Sequence, residues 1–486
     1  MKPTLAVRCL LLLAAGGLLI SCATPPANHV AITHVTVLDM TGAPPLADHT
    51  VLIEKRHIAV IGPAGAVSIP RGTKVVDASG KFLIPGLTDM HVHLTAAGEP
   101  DGSRKFMIPL LVASGITTVR DMGGYLESLI PLRKEIEDGK RLGPRIYYAG
   151  PYLDGSPPSF EPSFVVTNRT QANEDVHQLV QRGVDFIKVQ SILSREAYFA
   201  IADAARRERI AFVGHVPDHV RAAEAADAGQ RSIEHLTNVL RGCSRDEAKL
   251  MQEQFYLPAK QETPAQEHAR VFRWQREMLE SFSQANADAL IAKFAAKDVW
   301  QVPTLVLLRH DAFSAPGNLD GRKENEKYIP RATRENWKKS RAAQMQFILQ
   351  PESRLREELF AKSAALVAQM QMSGGHVLAG TDTPAPDLVP GFALHEELEL
   401  LVQAGLTPMQ ALQAATNGAA EFLGNEKDSG TVAAGKFADL VLLDANPLED
   451  IRNTGKIRAV VVRGRYLDRQ TLDGLLVEEL AFLGKH

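Results

Sequence analysis

Cysteine is scarce: the 486 residues hold three, Cys9, Cys22 and Cys243. They form no CxxC pair, which excludes a cysteine-built zinc site and a thioredoxin-like redox site. No block of lysine and arginine interrupts the chain, and the formal net charge is −3, which argues against a nucleic-acid partner. Past residue 20 no apolar run approaches the roughly 20 residues that a membrane-spanning helix needs. There is no low-complexity tract. Apolar residues at 45% and charged residues at 23% are ordinary for a globular protein and exclude a disordered chain. What the sequence does have is histidine, 15 in number and unevenly placed.

Residues 1–22 read MKPTLAVRCLLLLAAGGLLISC. Lys2 and Arg8 accompany an apolar run over 10–20 that is too short to span a bilayer but suits a signal-peptide core. The run ends in Leu19-Ile20-Ser21-Cys22, which resembles the bacterial lipobox. That resemblance implies a signal peptide over 1–21, cleavage before Cys22 and diacylation of its thiol. Ala23 in the next position resembles an outer-membrane sorting signal. The expected location is export with a lipid anchor in the outer membrane; a soluble periplasmic or secreted protein is the alternative. Residues 22–29, with Pro25-Pro26, read as a tether. Membrane contact is expected only through the lipid on Cys22, and Cys243 would be left without a disulfide partner.

Residues 30–85 carry short Val-, Ile- and Thr-rich runs broken by Gly and Pro, and similar runs return at 426–468. These flanks predict a small β-sandwich domain. Between them, over 86–425, short apolar strands alternate with helical patterns, which predicts βα units and a parallel sheet. Eight strands are expected, at 87–94, 116–122, 145–150, 184–190, 210–216, 231–236, 300–308 and 376–382. That count fits an α/β fold of the (β/α)8 TIM-barrel type. Helical insertions are expected at about 241–298 and 309–375, as a lid or pocket wall, with a tail at 469–486.

Histidines and acids fall on these strands with a pattern. His91 and His93 lie in the first, Lys188 near the end of the fourth, His215 and His235 at the ends of the fifth and sixth, and Asp382 at the end of the eighth. Strand C-termini line the catalytic mouth of such a barrel, and residues i and i+2 share a face. Four imidazoles and a carboxylate suit a divalent metal such as zinc. The ammonium of Lys188 would repel a cation. It serves as a ligand only as a carbamate, formed with carbon dioxide, which could bridge two metals.

PGLTDMHVHL (85–94), GITTVRD (115–121), VDFIKVQ, FVGHV, SIEHL, LAGTD (378–382) and GTVAAGKFADLVLLDANPLEDI (430–451), in this order, resemble the amidohydrolase superfamily in its two-metal form with a carboxylated lysine. The lysine in FIKV and the SIEHL motif look closest to imidazolonepropionase-like and prolidase-like members. The resemblance implies two divalent ions, zinc foremost: one held by His91, His93 and Asp382, the other by His215 and His235, with carboxylated Lys188 and a hydroxide bridging them. It implies hydrolysis of an amide C–N bond in a dipeptide, an N-acyl amino acid or a cyclic amide, with Asp382 moving the proton.

Arg120, Tyr148 and His219 are candidate substrate contacts, although Arg120 suits equally an ion pair with Asp121 or another acid of the barrel. His310, His376 and His395 read as packing, surface or supporting residues, and Cys243 as a packed thiol. The substrate is expected to be a small amide or peptide, and homo-oligomerisation stays open. Two alternatives remain, a deaminase of the same fold and a non-catalytic tethered binding lipoprotein. Lys188 argues against the first and the full set of candidate ligands against the second.

Overall fold

The computed structural model describes residues 29–95, 104–252, 262–313, 324–345 and 350–483. The expected signal peptide, Cys22 and most of the tether lie outside these residues. No helix among the described residues is long and apolar enough to cross a membrane.

The flanks form one eight-stranded sheet. The strand His29–Val37 lies inside it, antiparallel to Leu46–Glu54 on one edge. Its other edge takes two parallel partners in succession, Lys74–Asp77 and then Phe82–Pro85. The N- and C-terminal flanks join where Phe82–Pro85 runs antiparallel to Leu440–Leu443, followed by Ile457–Val462 and Arg465–Asp468. A core of Ile32, Val35, Val51, Ile53, Leu440 and Val461 lies against this sheet. A two-sheet sandwich is therefore not what the pairing gives: a central strand with two successive partners on one edge draws all eight strands into one hydrogen-bonded sheet.

The rest of the β structure is parallel. Leu87–Val92, Ile116–Asp121 and Arg145–Tyr148 form a three-stranded sheet. Ile187–Val189, Phe212–Gly214, Ser232–Glu234 and Trp300–Val302 belong to a six-stranded one. Its other two strands, Tyr152–Asp154 and Ser163–Val165, were not expected; they sit between the third and fourth predicted strands. Hydrogen bonds connect the two sheets. Asp185 N–H donates to the Tyr148 carbonyl at 2.9 Å. On the other side, residues 376–383 form no regular strand, yet they bond to both neighbours: Leu378 N–H to the Gln301 carbonyl at 2.8 Å, and Met90 N–H to the Ala379 carbonyl at 2.9 Å.

Helices cover the sheets. Arg195–Glu208 shows how: Ser194 caps its first turn by accepting from Ala197 N–H, Arg209 ends it in the left-handed region, and Ala197, Tyr198, Ile201 and Ala205 form its buried stripe. The predicted strand at 300–308 stops at Val302. Pro303 lacks the N–H that a ladder needs, and Leu305–Ala312 is a helix. Further helices lie at Pro264–Glu280, Gln284–Ala296, Arg331–Met345 and Gln350–Met372. The C-terminal tail is largely a helix, Arg469–Leu483, which buries Leu472 and packs against Met107–Ala113.

Candidate metal centre

The six side chains His91, His93, Lys188, His215, His235 and Asp382 all line one cavity of about 1070 Å³ at the C-terminal ends of the parallel strands. Asp382 is the hub. Its Oδ1 lies 3.0 Å from His93 Nε2 and 3.3 Å from His91 Nε2, and its Oδ2 lies 4.0 Å from His235 Nε2. Ligand atoms of His91, His93 and Asp382 sit within 4.8 Å of one another, as a bound cation requires. The ring of His235 packs between His91, at 4.6 Å, and His215, at 5.1 Å.

The far nitrogens of the rings show which lone pairs face the centre. His91 Nδ1 donates to Glu234 Oε2 at 3.0 Å, and His93 Nδ1 donates to the Gly123 carbonyl at 3.0 Å. His235 Nδ1 lies 2.7 Å from Thr304 Oγ1. The Thr304 hydroxyl gives its own proton to the Pro303 carbonyl, so it accepts from the ring. Each of these imidazoles therefore places an Nδ1 proton away from the centre and turns its Nε2 toward Asp382. A neutral ring in this tautomer presents an Nε2 lone pair to a cation, and this donor set suits a divalent metal. Ser191 Oγ lies 2.7 Å from His215 Nδ1. Burial holds His215 well below the ordinary imidazole value and His235 down to about 3, with Lys188 adding to both effects. Both are thus neutral, the ligating form.

Charge beneath the centre is paired. Arg120 is fully buried and grips Glu234 with one nitrogen, at 3.0 and 2.9 Å from its two oxygens; it also donates to the Met90 carbonyl at 2.7 Å. Burial works against a charged Glu234, but Arg120, His91 and Lys188 together outweigh it and hold the carboxyl below its ordinary range. Asp89 binds the first strand to the segment before Asp382: it accepts from His91 N–H and from both the N–H and the hydroxyl of Thr381. Asp121 accepts from Leu94 N–H at 2.6 Å and Gly123 N–H at 3.2 Å, which fixes the turn whose carbonyl orients His93. Gly123 is required there, because a side chain would collide with the Tyr152 ring. Left-handed backbone also gathers at the centre, at His235 (φ 56°), Leu236 (φ 51°), Thr304 (φ 46°) and Asp382 (φ 65°), a strained conformation for residues other than glycine.

The three candidate substrate contacts are not among the described residues that line the cavity. Arg120 points down into the sheet interior because Glu234 is there to neutralise it. Tyr148 is buried in the helix layer, with Arg133 5.1 Å from its ring. His219 is half-buried and lies past the end of its strand. The aromatic hydroxyl at the cavity is instead that of Tyr152, 3.2 Å from His93 Nδ1. His310 pairs with Asp387 at 3.3 Å, His376 stacks on Trp300 and His395 bonds Thr454 and the Ser114 carbonyl. Cys243 is buried, which pushes its thiol up to about 12.

Glu234, Thr304, Asp89 and Tyr152 were not singled out in the sequence. A signal existed for the first. Glu234 adjoins His235 within SIEHL, and an acid inside a short apolar strand needs a buried partner.

The family model described as the amidohydrolase family matches residues 82–467, from the strand that joins the flanks to the last strand of their sheet. An ochratoxinase of Aspergillus niger is 23% identical over 496 aligned positions, covering 89% of this chain and 84% of the relative. Among solved structures, a bottromycin amidohydrolase superposes with a TM-score of 0.74 at 23% identity, covering 95% of this chain and 92% of its own. A putative prolidase from Bifidobacterium longum does so with a TM-score of 0.64 at 25% identity, covering 94% and 100%. With histidines and an aspartate converging at the ends of parallel strands, and with a family match over most of its length, the chain belongs to the amidohydrolase family.

Proposed function

We propose that this protein is a two-metal hydrolase that cleaves an amide C–N bond in a dipeptide, an N-acyl amino acid or a cyclic amide. The observation that carries the reading is the set of Nε2 atoms of His91, His93 and His235 gathered around Asp382. On this reading His91, His93 and Asp382 hold one divalent ion and His215 and His235 a second, zinc being the first choice for imidazole and carboxylate donors. The ions, when bound, would supply a water acidified to near-neutral pKa and polarisation of the substrate carbonyl.

The remaining work falls to the chain. Asp382, already ionised, accepts a proton from the attacking water and returns it to the leaving amine. Burial lowers the Lys188 ammonium to about 8, so the neutral amine that adds carbon dioxide is accessible near neutral pH. The resulting carbamate is an anion among cations, where an ammonium would be repelled. The two parallel sheets act as one closed (β/α)8 barrel; the hydrogen bonds at Asp185–Tyr148 and along 376–383 support this. Val271, Trp274, Met278, Leu307, Leu359 and Phe360 give the cavity an apolar wall, suited to an apolar group on the substrate. A relative named as an ochratoxinase and a neighbour named as a putative prolidase, each matched over most of this chain, support amide hydrolysis, whereas relatives named as adenine deaminases match only 8–32% of it.

The test is metal analysis of the purified protein, followed by a screen of dipeptides and N-acyl amino acids for amine release, with and without a chelator. Two ions per chain and chelator-sensitive cleavage are expected. Ion-free protein that cleaves its substrate equally well would overturn the reading. The lipobox supports a lipid anchor at Cys22; labelled palmitate incorporation, lost in Cys22→Ala, is the expected result.

A further inference from the structure

Glu397 lies outside the cavity and touches none of the six candidate ligands. It belongs to the helix Phe392–Ala404, is fully buried and accepts from Val306 N–H at 2.7 Å. Leu305 N–H faces the same carboxyl. Its Oε1 has no hydrogen-bond partner among the described residues. An acid buried in this way costs free energy, so its position calls for a compensating role.

The two N–H groups it engages open the helix Leu305–Ala312. A helix start has unsatisfied N–H groups and favours a carboxyl. The residue before that helix is Thr304, held at φ 46° and ψ 52° with no side-chain bond into the helix it precedes. A β-branched residue resists the left-handed region. Its hydroxyl is used elsewhere: it donates to the Pro303 carbonyl at 2.8 Å and accepts from His235 Nδ1 at 2.7 Å. Thr304 would ordinarily cap its own helix; here Glu397 caps it from another helix and leaves the threonine free to orient the histidine.

Resting on the two-metal reading above, we infer that Glu397 is a positioning residue for the second ion. By capping Leu305–Ala312 it holds Thr304 in its strained conformation, and Thr304 fixes the tautomer and aim of His235. The two candidate ion sites are then supported separately, because His91 and His93 are oriented by Glu234 and Gly123, with no bond to Thr304 or Glu397.

The experiment compares the full-length wild type with Glu397→Ala, Glu397→Gln and Thr304→Val. Each is dialysed against buffered zinc, and ions per chain are measured across zinc concentrations. Melting of the metal-free proteins is recorded alongside. Losing a neutral hydrogen bond that orients a ligand corresponds to a few-fold to about tenfold in metal affinity, so Glu397→Ala and Thr304→Val should weaken the second ion by that factor and leave the first unchanged. Glu397→Gln should retain both ions, because its amide oxygen still accepts from Val306 N–H. A Glu397→Ala protein that melts earlier when metal-free but binds both ions as the wild type does would overturn the inference, since the cap would then be structural only. If Glu397→Ala does not fold, Thr304→Val decides: unchanged affinity for the second ion overturns it. A wild type that binds no ion defeats the parent reading instead.

Discussion

The two halves of the candidate metal centre orient their histidines with different chemistry. On one side, His91 leans on a carboxylate that is itself gripped by a buried arginine, and His93 leans on a backbone carbonyl fixed by Asp121. On the other, His215 and His235 lean on the neutral hydroxyls of Ser191 and Thr304. A carboxylate raises the basicity of an imidazole more than a hydroxyl does, and charge-assisted hydrogen bonds are roughly twice as strong as neutral ones. On the proposed two-metal reading, the first half would hold its ion tightly, and the second would hold its ion more loosely and depend on strained backbone for its aim.

Asp382 serves both halves, so breaking it should have the largest effect. Asp382→Asn keeps the shape but removes the proton acceptor. A fall in kcat of about 10²–10⁴-fold is expected, with ion content measured in parallel to separate proton transfer from ion loss. Full activity in this variant would sink the proton-transfer role.

Next comes Glu234→Gln, which strikes the first half alone. First-ion affinity should fall about 10–100-fold. Arg120 would be left buried without its charge partner, and breaking a buried pair costs about 3–5 kcal/mol, so the melting temperature should also drop. Equal weakening of both ions would erase the distinction between the halves.

How much of this was legible in the sequence depends on the kind of contact. Leu87–Val92 and Ile116–Asp121 announce themselves because apolar strands flanked by turn residues have few other readings, and His91 and His93 share a face by the two-residue period alone. The sequence also shows acids and an arginine inside apolar strands. It does not show which acid meets which base: Arg120 and Glu234 are 114 positions apart, and only the approach of the two strands pairs them. Tyr148 and Tyr152 differ by four residues, but an unexpected extra strand, Tyr152–Asp154, turns one toward the cavity while the other packs under Arg133. Segment 376–383 reads as a strand by composition, yet Pro384 and the left-handed Asp382 prevent a regular ladder. Those features are set by tertiary contacts and not by local pattern.

The halves should also differ in acid. Burial raises Asp89 to about 7 and Asp121 to about 6, and both support the first half. Each holds its proton more tightly folded than unfolded. Their contribution to stability is therefore present at low pH and lost as pH rises from about 4 to about 7, at up to about 1.4 kcal/mol per pH unit for each proton. In the second half, burial keeps His235 neutral down to about 3 while the unfolded imidazole takes a proton below about 6.5, so it contributes a slope of the opposite sign: stability rises with pH across that window. Denaturation of metal-free protein between pH 5 and 7 reads these opposing slopes together, and Asp89→Asn, by removing a declining contribution, should make stability rise more steeply with pH than in the wild type. An unchanged slope in that variant would place the proton elsewhere.

The smallest effect expected tests the neutral side. Ser191→Ala removes only a hydroxyl, 2.7 Å from His215 Nδ1, and leaves the ring among the same buried neighbours. A neutral hydrogen bond contributes about 0.5–1.5 kcal/mol, which corresponds to a few-fold to about tenfold in second-ion affinity. His215 has a second restraint: it follows Gly214, whose carbonyl accepts from Gln230 at 2.9 Å, so its backbone stays fixed when the hydroxyl goes. The loss should therefore fall below that of Glu234→Gln on the first ion, measured in the same zinc titration. If Ser191→Ala proved the costlier of the two, the hydroxyl would be doing more than orienting a ring, and the ranking of charged over neutral support would have to be reversed.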